Sequence, residues 1–429
     1  MNFNIDEKNF KKEILNDEYV RWLADFTSKY SEFDDIYFIH NNKNILKEKD
    51  IVNISYLECL FKMLNKYLIN ENISYENLFA YGLLSNDNIY LIHYNGEGYS
   101  CTRYDNNRYN HPCIEYNDLK KSISKNMQVI FELLKDRVID SLEHTDLEFI
   151  RYELSKLDSP TLFSGVGGSS VVSEFASKVI NAKNRIVTVN SEPRDFIYRN
   201  NNAFRNVIAC SYSGNNYGVE ISFLKDLKKY LLSNNSFEAN DVTYLKYSTS
   251  ITKEKSFISL GATLIPVSIM LDYYLDGNDK EMIGLIKEKK VNFNIDSDIY
   301  EIFSGYDTST SSKYLESTMV EAGIGIPIVH DKYAYCHGRS TFGVNYNVVV
   351  IYYNRNTEFD NMMIEELKKY YKTIVTINSK FNNQILDDYQ MLIQSMYLTK
   401  YIAEKKNEDL SKVNYSPIVK KLYKYSGEI

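Results

Sequence analysis

No block of like charge, no apolar stretch long enough to cross a bilayer and no closely paired cysteines occur in these 429 residues. Each absence removes a class of function. Lys and Arg number 50 against 57 Asp and Glu, a net charge of −7 with the cations scattered. A broad nucleic-acid surface needs clustered cations facing phosphates, so no nucleic-acid partner is expected. The opening MNFNIDEKNFKKE is charged from the start and has no apolar signal core. The most apolar segment, around Leu260 to Tyr274, falls short of the roughly 18 residues that mark a spanning helix. Neither a membrane nor secretion is expected, and the cytoplasm is the expected location. Cys59, Cys101, Cys113, Cys210 and Cys336 are odd in number, widely spaced and form no CxxC. Cys101 and Cys113, with His93 and His111 nearby, make one loose grouping, whereas zinc sites use tighter pairs. No metal and no cofactor is expected.

What is present reads as an ordinary globular chain, long enough for two to four folding units of roughly 100–200 residues. Residues 7–30 and 54–70 carry apolar side chains at helical spacing, among them Phe10, Ile14, Leu23, Phe26 and Leu57, Leu60, Leu64, Leu68. Asn88–Tyr94 and Tyr99–Arg103 flank Asn95-Gly96-Glu97-Gly98, a hairpin signature. A small α+β unit is therefore expected over residues 1–116, followed by a helical stretch from Asp118 to Leu157.

From Ser159 short apolar runs alternate with amphipathic helices. Strands are expected at Thr161–Ser164, Arg185–Asn190, Asn206–Ser211 and Asp241–Tyr247, with helices at Ser170–Ala182 and Tyr217–Ser233. A second cycle has strands at Tyr300–Ser304, Tyr346–Tyr353 and Thr373–Ile377 and helices at Asp360–Tyr371 and Gln384–Glu404. This grammar predicts an α/β fold with two doubly wound parallel sheets, divided at 117–290 and 291–429. The cycles open alike, with Phe163-Ser164-Gly165 and Phe303-Ser304-Gly305, as a duplicated module would.

Two loops can hold an anion. Gly165-Val166-Gly167-Gly168-Ser169-Ser170 joins a strand to a helix, where glycines admit close approach and helix-start amides face a ligand. A dinucleotide loop would need glycine at Ser170; a plain strand-to-helix turn is the other reading. Ser211-Tyr212-Ser213-Gly214-Asn215-Asn216 ends another predicted strand and offers hydroxyls and an amide. The second module's matching turn, Gly305-Tyr306-Asp307, lacks the glycines and carries a carboxylate, so no anion is expected there.

GxGxS followed some forty residues later by SxSG resembles the sugar-isomerase (SIS) domain family, in particular the isomerase half of glucosamine-6-phosphate synthase and the fructosamine-6-phosphate deglycases. The resemblance covers about residues 155–429 and includes Ser191-Glu192. It implies a double-SIS, flavodoxin-like fold and a phosphate held by Ser169, Ser211 and Ser213, with Gly167, Gly168, Ser170, Tyr212 and Asn216 completing the loops. Tyr212 stands where the family often has Gln, and Asn216 where it has Thr, implying a differently shaped pocket. In the second module lie Glu316, Glu321 and Cys336-His337-Gly338-Arg339. Glu321 and His337 have the spacing of the family's base and ring-opening histidine, a chemistry for which carboxylate and imidazole suit because their surroundings tune each pKa. A surface glutamate and an unrelated loop histidine is the alternative. Thr318, Ala334 and Arg339 depart from the family's Lys, acidic residue and Pro. A tail lysine, Lys420 or Lys421, would reach the site.

The expected ligand is a phosphorylated sugar or amino sugar, and the expected assembly a homodimer. The expected activity is aldose–ketose isomerisation or deglycation, with a non-catalytic sugar-phosphate sensor as the alternative. A glutamine-dependent synthase is not expected, because Asn2 stands where its amidotransferase half needs cysteine.

Overall fold

The computed structural model describes residues 130–410 except 132, 199–201, 215–216, 224–225, 236–240, 249–257 and 288–292, together with the backbone of six strands nearer the N-terminus. The helices expected over 7–30 and 54–70, and with them Asn216, Lys420 and Lys421, lie outside the described residues, as do the side chains of Cys101, Cys113, His93 and His111. Contacts divide the chain into one unit of residues 1–125 with 251–253, and a second comprising the remainder.

In the first unit β1 (Asp35–His40), β2 (Asn44–Lys47), β3 (Phe79–Ser85), β4 (Asn88–Tyr94), β5 (Tyr99–Tyr104) and β6 (His111–Glu115) form an antiparallel sheet of order β2-β1-β3-β4-β5-β6. Tyr94 pairs with Tyr99, as the hairpin signature predicts.

The second unit begins with α1 (Leu134–Glu143) and α2 (Leu147–Ser155). A first α/β cycle follows: β7 (Thr161–Ser164), α3 (Gly168–Asn184), β8 (Thr188–Ser191), α4 (Asp195–Tyr198), β9 (Asn206–Cys210), α5 (Tyr217–Ser222), β10 (Lys228–Ser233) and β11 (Val242–Lys246). After α6 (Gly261–Tyr274) and α7 (Lys280–Ile283) comes a second: β12 (Ile299–Ser304), α8 (Ser309–Ala322), β13 (Ile326–Asp331), α9 (Ser340–Asn345), β14 (Val349–Asn354), α10 (Glu358–Leu367), β15 (Thr373–Asn378) and α11 (Gln384–Lys405). Both sheets are parallel, with orders β11-β10-β9-β7-β8 and β13-β12-β14-β15. The α/β fold and its two parallel sheets are thus as the sequence predicts.

Two strands are absent from the expected set. The helix expected over Tyr217–Ser233 stops at Ser222, and Lys228–Ser233 is a strand between β9 and β11. Its Tyr230, Leu231 and Leu232 are buried on both faces, so the apolar run carries no period-2 signature and reads as a helix continuing. The strand Ile326–Asp331 is an addition to the expected set; it lies at the sheet's edge, the position that tolerates Pro327.

Alternation along the strands assembles the core. Phe163, Ile208 and Leu232 of one sheet join Tyr300, Ile302, Val349 and Ile351 of the other in one apolar cluster that also takes in α3, α6, α8 and α11. Their sequence neighbours Leu162 and Val207, and Phe303, Val350 and Tyr352, face outward into separate clusters. α6 is apolar all round and buried along nearly its whole length, the behaviour of a core helix; among the described residues no helix is long and apolar enough to cross a membrane.

One polar contact pierces this core. Lys178 of α3 and Asp388 of α11 form an ion pair at 2.6 Å with side chains 1% and 0% exposed. Lys178 also donates to Thr310 Oγ1, and Asp388 accepts from the Ser311 N–H and hydroxyl at the start of α8. Removing one partner of a buried pair strands the other, at about 3–5 kcal/mol. Lys178→Met should lower the unfolding free energy by that order, and adding Asp388→Leu should recover part of the loss. Equal stability of Lys178→Met and the parent in urea titration would refute the assignment.

Candidate functional site between two Ser/Gly loops and an acidic cleft

In the first sheet β7 and β9 are adjacent, with Ser164 opposite Ala209, so the turns that follow leave the carboxyl end one strand spacing apart, about 4.8 Å. Counted in chain order the sheet runs 2-1-3-4-5 and reverses between these two strands, the crevice where open α/β sheets take ligands. The geometry of each turn is dictated by glycine. A Cβ on Gly165 would lie 2.2 Å from the Ser169 carbonyl oxygen, and Gly214 combines φ of 71° with a Cβ position 2.8 Å from Ser233 Oγ. Ser170, buried, donates to the Gly167 carbonyl at 2.8 Å; Ser211, buried, accepts from the Gly214 N–H at 3.1 Å. Those two hydroxyls shape the loops. Ser169, Ser213 and Gly168 are half-buried, and Gly167 and Tyr212 are exposed at the rim.

α3 leads from this crevice to a second feature. Six residues after Gly168, about 9 Å along the axis, Glu174 accepts from Ser309 Oγ at 2.6 Å and Asn190 Nδ2 at 2.8 Å. It borders a cleft of about 570 Å³ between the two cycles, whose further walls include Ser309, Ser312, Lys313, Glu316 and Asp331. Burial opposes ionisation of Glu174, but the Ser309 hydrogen bond, the Lys178 charge and Asn190 more than offset it, and its pKa lies below that of an ordinary glutamate. Glu316 goes the other way: burial raises its pKa against the opposing charge of Lys313. Glu192, just past β8, is also raised by burial, again with Lys313 opposing. One ammonium of the second cycle therefore serves carboxylates from both cycles. Two carboxylates driven apart in pKa within one cleft have the form of an acid–base site.

The expected pair of Glu321 and His337 does not meet within one chain. Glu321 lies in the last turn of α8, before β13, and is exposed, with burial of its surroundings raising its pKa. His337 is exposed in the turns after β13, and that strand alone separates its two ends by roughly 16 Å. The segments also lie on opposite faces of the sheet. α8 shares the cleft with Pro327, Val329 and Asp331, whereas Gly338 and Arg339 share a different cavity with Ile328 and His330. A Glu321–His337 site would have to be built from two copies of the chain.

Glu174 and Lys313 are absent from the residues that the sequence motifs single out. A signal is nonetheless present, since Ser309, Ser312, Lys313 and Glu316 repeat at helical spacing as one polar stripe on a helix otherwise packed in the core.

The second sheet's switch point, between β12 and β14, is filled from within. Arg355 makes ion-pair contacts at 3.2 Å with Asp307 and with Asp387, and behind it Lys332 and Asp360 pair at 2.7 Å with no exposure. The carboxylate in Gly305-Tyr306-Asp307 thus has its cation already.

The opposed shifts carry a sign. Glu174, with its pKa depressed, contributes stability above the ordinary glutamate pKa of about 4.3 that is lost as pH falls through its folded value. Glu316, with its pKa raised, withdraws stability as pH rises from about 4.3 through its folded value. Glu174→Gln should therefore be destabilised at neutral pH and Glu316→Gln unchanged or stabilised, with both differences shrinking toward pH 3 in thermal melts. Shifts of the same sign in both variants would contradict the cleft electrostatics.

No protein-family model and no curated protein matches this chain. Solved structures do. A protein of Clostridium difficile 630 described as a phosphosugar isomerase superposes with a TM-score of 0.54 at 12% identity, over 69% of this chain and 98% of that one. Glucosamine-6-phosphate deaminase from Thermotoga maritima gives 0.50 at 13% identity, over 70% and 98%. The C-terminal domain of glucosamine-fructose-6-phosphate aminotransferase from Francisella tularensis gives 0.51 at 11%, over 72% and 99%. The pair of parallel sheets and their helices is the fold that these proteins share with this chain.

Proposed function

We propose that this chain binds a sugar phosphate and acts on it as an isomerase-type enzyme, with the phosphate at the first switch point and the sugar carbons in the cleft. The observation that carries this reading is the convergence of the two Ser/Gly loops at adjacent strand ends, about 9 Å along α3 from a cleft holding Glu174, Lys313 and Glu316. That is about the length of an open-chain hexose phosphate. The names borne by the structural neighbours point to the same substrate class.

In this reading Ser169 and Ser213 donate to phosphate oxygens alongside loop amides. Glu316, whose pKa is raised toward neutrality, removes the proton from the carbon beside the carbonyl and returns it to the neighbouring carbon. The electron pair passes to the carbonyl oxygen, the Lys313 ammonium stabilises that developing enediolate, and the proton of the neighbouring hydroxyl moves to the former carbonyl oxygen as the carbonyl re-forms on the neighbouring carbon. Glu174, tied by Ser309 and Asn190, stays ionised and balances the Lys313 charge. Release of an amine from a fructosamine phosphate starts from the same proton transfer, so a deglycase falls within the proposal. A homodimer is part of it too, since a second copy would let His337 approach the opposite site.

The test is proton exchange at C1 and C2 of fructose 6-phosphate and of a fructosamine 6-phosphate in D₂O. Glu316→Gln should slow exchange by about 10²-fold or more with little change in affinity, because it keeps shape while removing the base. Ser213→Ala should weaken binding with exchange at saturation preserved. Glu321→Gln should leave both near the parent values. If the parent binds sugar phosphates but exchanges no proton, the enzyme reading fails; if Glu321→Gln abolishes exchange and Glu316→Gln does not, the base is misassigned.

A further inference from the structure

Re-forming the carbonyl on the neighbouring carbon requires a proton to travel between two substrate oxygens. The carbon base is occupied at that moment with the carbon's own proton, so a second group must carry this one. Of the hydroxyls that border the cleft, those of Ser304 and Ser312 are buried and bound to each other at 2.9 Å. Tyr306 is exposed, but burial around its phenol and the charges of Glu174 and Asp388 raise its pKa, so it holds its proton firmly. Ser309 is half-buried and opens on the cleft beside Glu174.

Ser309 Oγ lies 2.6 Å from Glu174 Oε1 and 3.1 Å from the Tyr306 carbonyl oxygen. A hydroxyl has one proton, and the shorter, charge-assisted contact takes it. An ionised carboxylate only accepts, and Asn190 Nδ2 donates to Glu174 Oε2 at 2.8 Å from the other side. The direction of the chain is therefore fixed. Ser309 gives its proton to Glu174, and its lone pairs are left to accept from a substrate hydroxyl.

The register along α8 suits that role. Ser309, Lys313 and Glu316 stand at i, i+4 and i+7 on one face, so Ser309 and Glu316 are about 10 Å apart along the axis. Helical side chains lean toward the N-terminus, which carries the Glu316 carboxyl back toward Ser309. An enediolate held by Lys313 then has the carbon base on one side and the Ser309 hydroxyl on the other.

We infer that Ser309, backed by Glu174, is the relay that moves this proton between the two substrate oxygens. The inference rests on the reading of the cleft given above. As the neighbouring hydroxyl gives its proton to Ser309 Oγ, the serine's own proton passes to Glu174 Oε1. The electrons of the broken O–H bond form the new carbonyl, and the carbon–carbon double-bond pair takes the proton held by Glu316. The reverse shift, from Glu174 to Ser309 to the former carbonyl oxygen, leaves both carboxylates ionised and the serine unchanged. In a fructosamine phosphate the amine N–H stands in place of the neighbouring hydroxyl.

The experiment follows two signals from the full chain in D₂O, with fructose 6-phosphate and with a fructosamine 6-phosphate: deuterium entering C1, and formation of the aldose phosphate. Ser309→Ala should leave deuterium entry near the parent rate and slow product formation by about 10²-fold or more, because Glu316 still acts while the oxygen proton has no carrier. Ser309→Thr keeps the hydroxyl and should restore most of the product formation, and Tyr306→Phe should match the parent. Glu174→Gln should uncouple the two signals as Ser309→Ala does, and the double variant should be no slower than either, since the relay fails as a unit. Product formation at the parent rate in Ser309→Ala overturns the relay and leaves the role of Glu316 standing. Loss of both signals in Ser309→Ala overturns it as well, because Ser309 then serves the carbon step or the fold. A parent that takes up deuterium but forms no product overturns the relay alone. A parent that does neither removes the reading of the cleft and the relay with it.

Discussion

The two α/β cycles are held together by a largely apolar core crossed by the buried Lys178–Asp388 ion pair. Two charges with almost no exposure persist because each is paired with the other and hydrogen-bonded further. Asp388 answers the Ser311 N–H and hydroxyl, and Lys178 answers Thr310 as well as Asp388. The pair thereby fixes three helices at once: α3 by Lys178, α11 by Asp388 and the start of α8 by its serines. Apolar packing tolerates small slides between helices, whereas a satisfied buried ion pair admits one arrangement. The cleft depends on this, because Glu174 lies one helical turn before Lys178 and Ser309 immediately before Thr310.

How far the chain could be read in advance follows from the kind of signal each element leaves. Thr161–Ser164 and Gln384–Lys405 were legible nearly to the residue, since a buried strand and a long periodic helix are dense in local information. The two Ser/Gly loops were legible because glycine at a strand end marks a backbone that a side chain would obstruct. Lys228–Ser233 was not, being buried on both faces and short. Glu174 and Lys313 were invisible for another reason. Neither stands in a motif; Lys313 leaves only the faint trace of the polar stripe along α8, and their joint significance arises when α3 and α8 cross. For Glu321 and His337, a matched spacing along the chain leaves their meeting to the assembly, because within one chain they lie at opposite ends of β13 and the expected homodimer is what could bring them together.

The contrast between the two switch points shows how a duplicated framework can divide labour. Both sheets reverse strand order in the same sense and both open with Phe-Ser-Gly. In the first, glycine and serine leave the crevice lined by neutral donors. In the second, Arg355 already sits at ion-pair distance from two carboxylates, those of Asp307 and Asp387. An incoming anion would have to displace two carboxylates there. The second crevice thus acts as a structural joint between β12, β14 and α11.

β13 is a partition wall. Its odd-numbered residues, Pro327, Val329 and Asp331, line the cleft, and its even-numbered ones, Ile328 and His330, line the cavity behind. Two chambers consequently share one course of bricks, and the period of two ties their composition together. A single-residue insertion or deletion in the Gly323–Gly325 turn would rotate the whole course, pushing imidazole into the acidic cleft and a carboxylate toward Arg339. The length of that short turn is therefore under two constraints at once, and neither chamber can be remodelled through it without rebuilding the other.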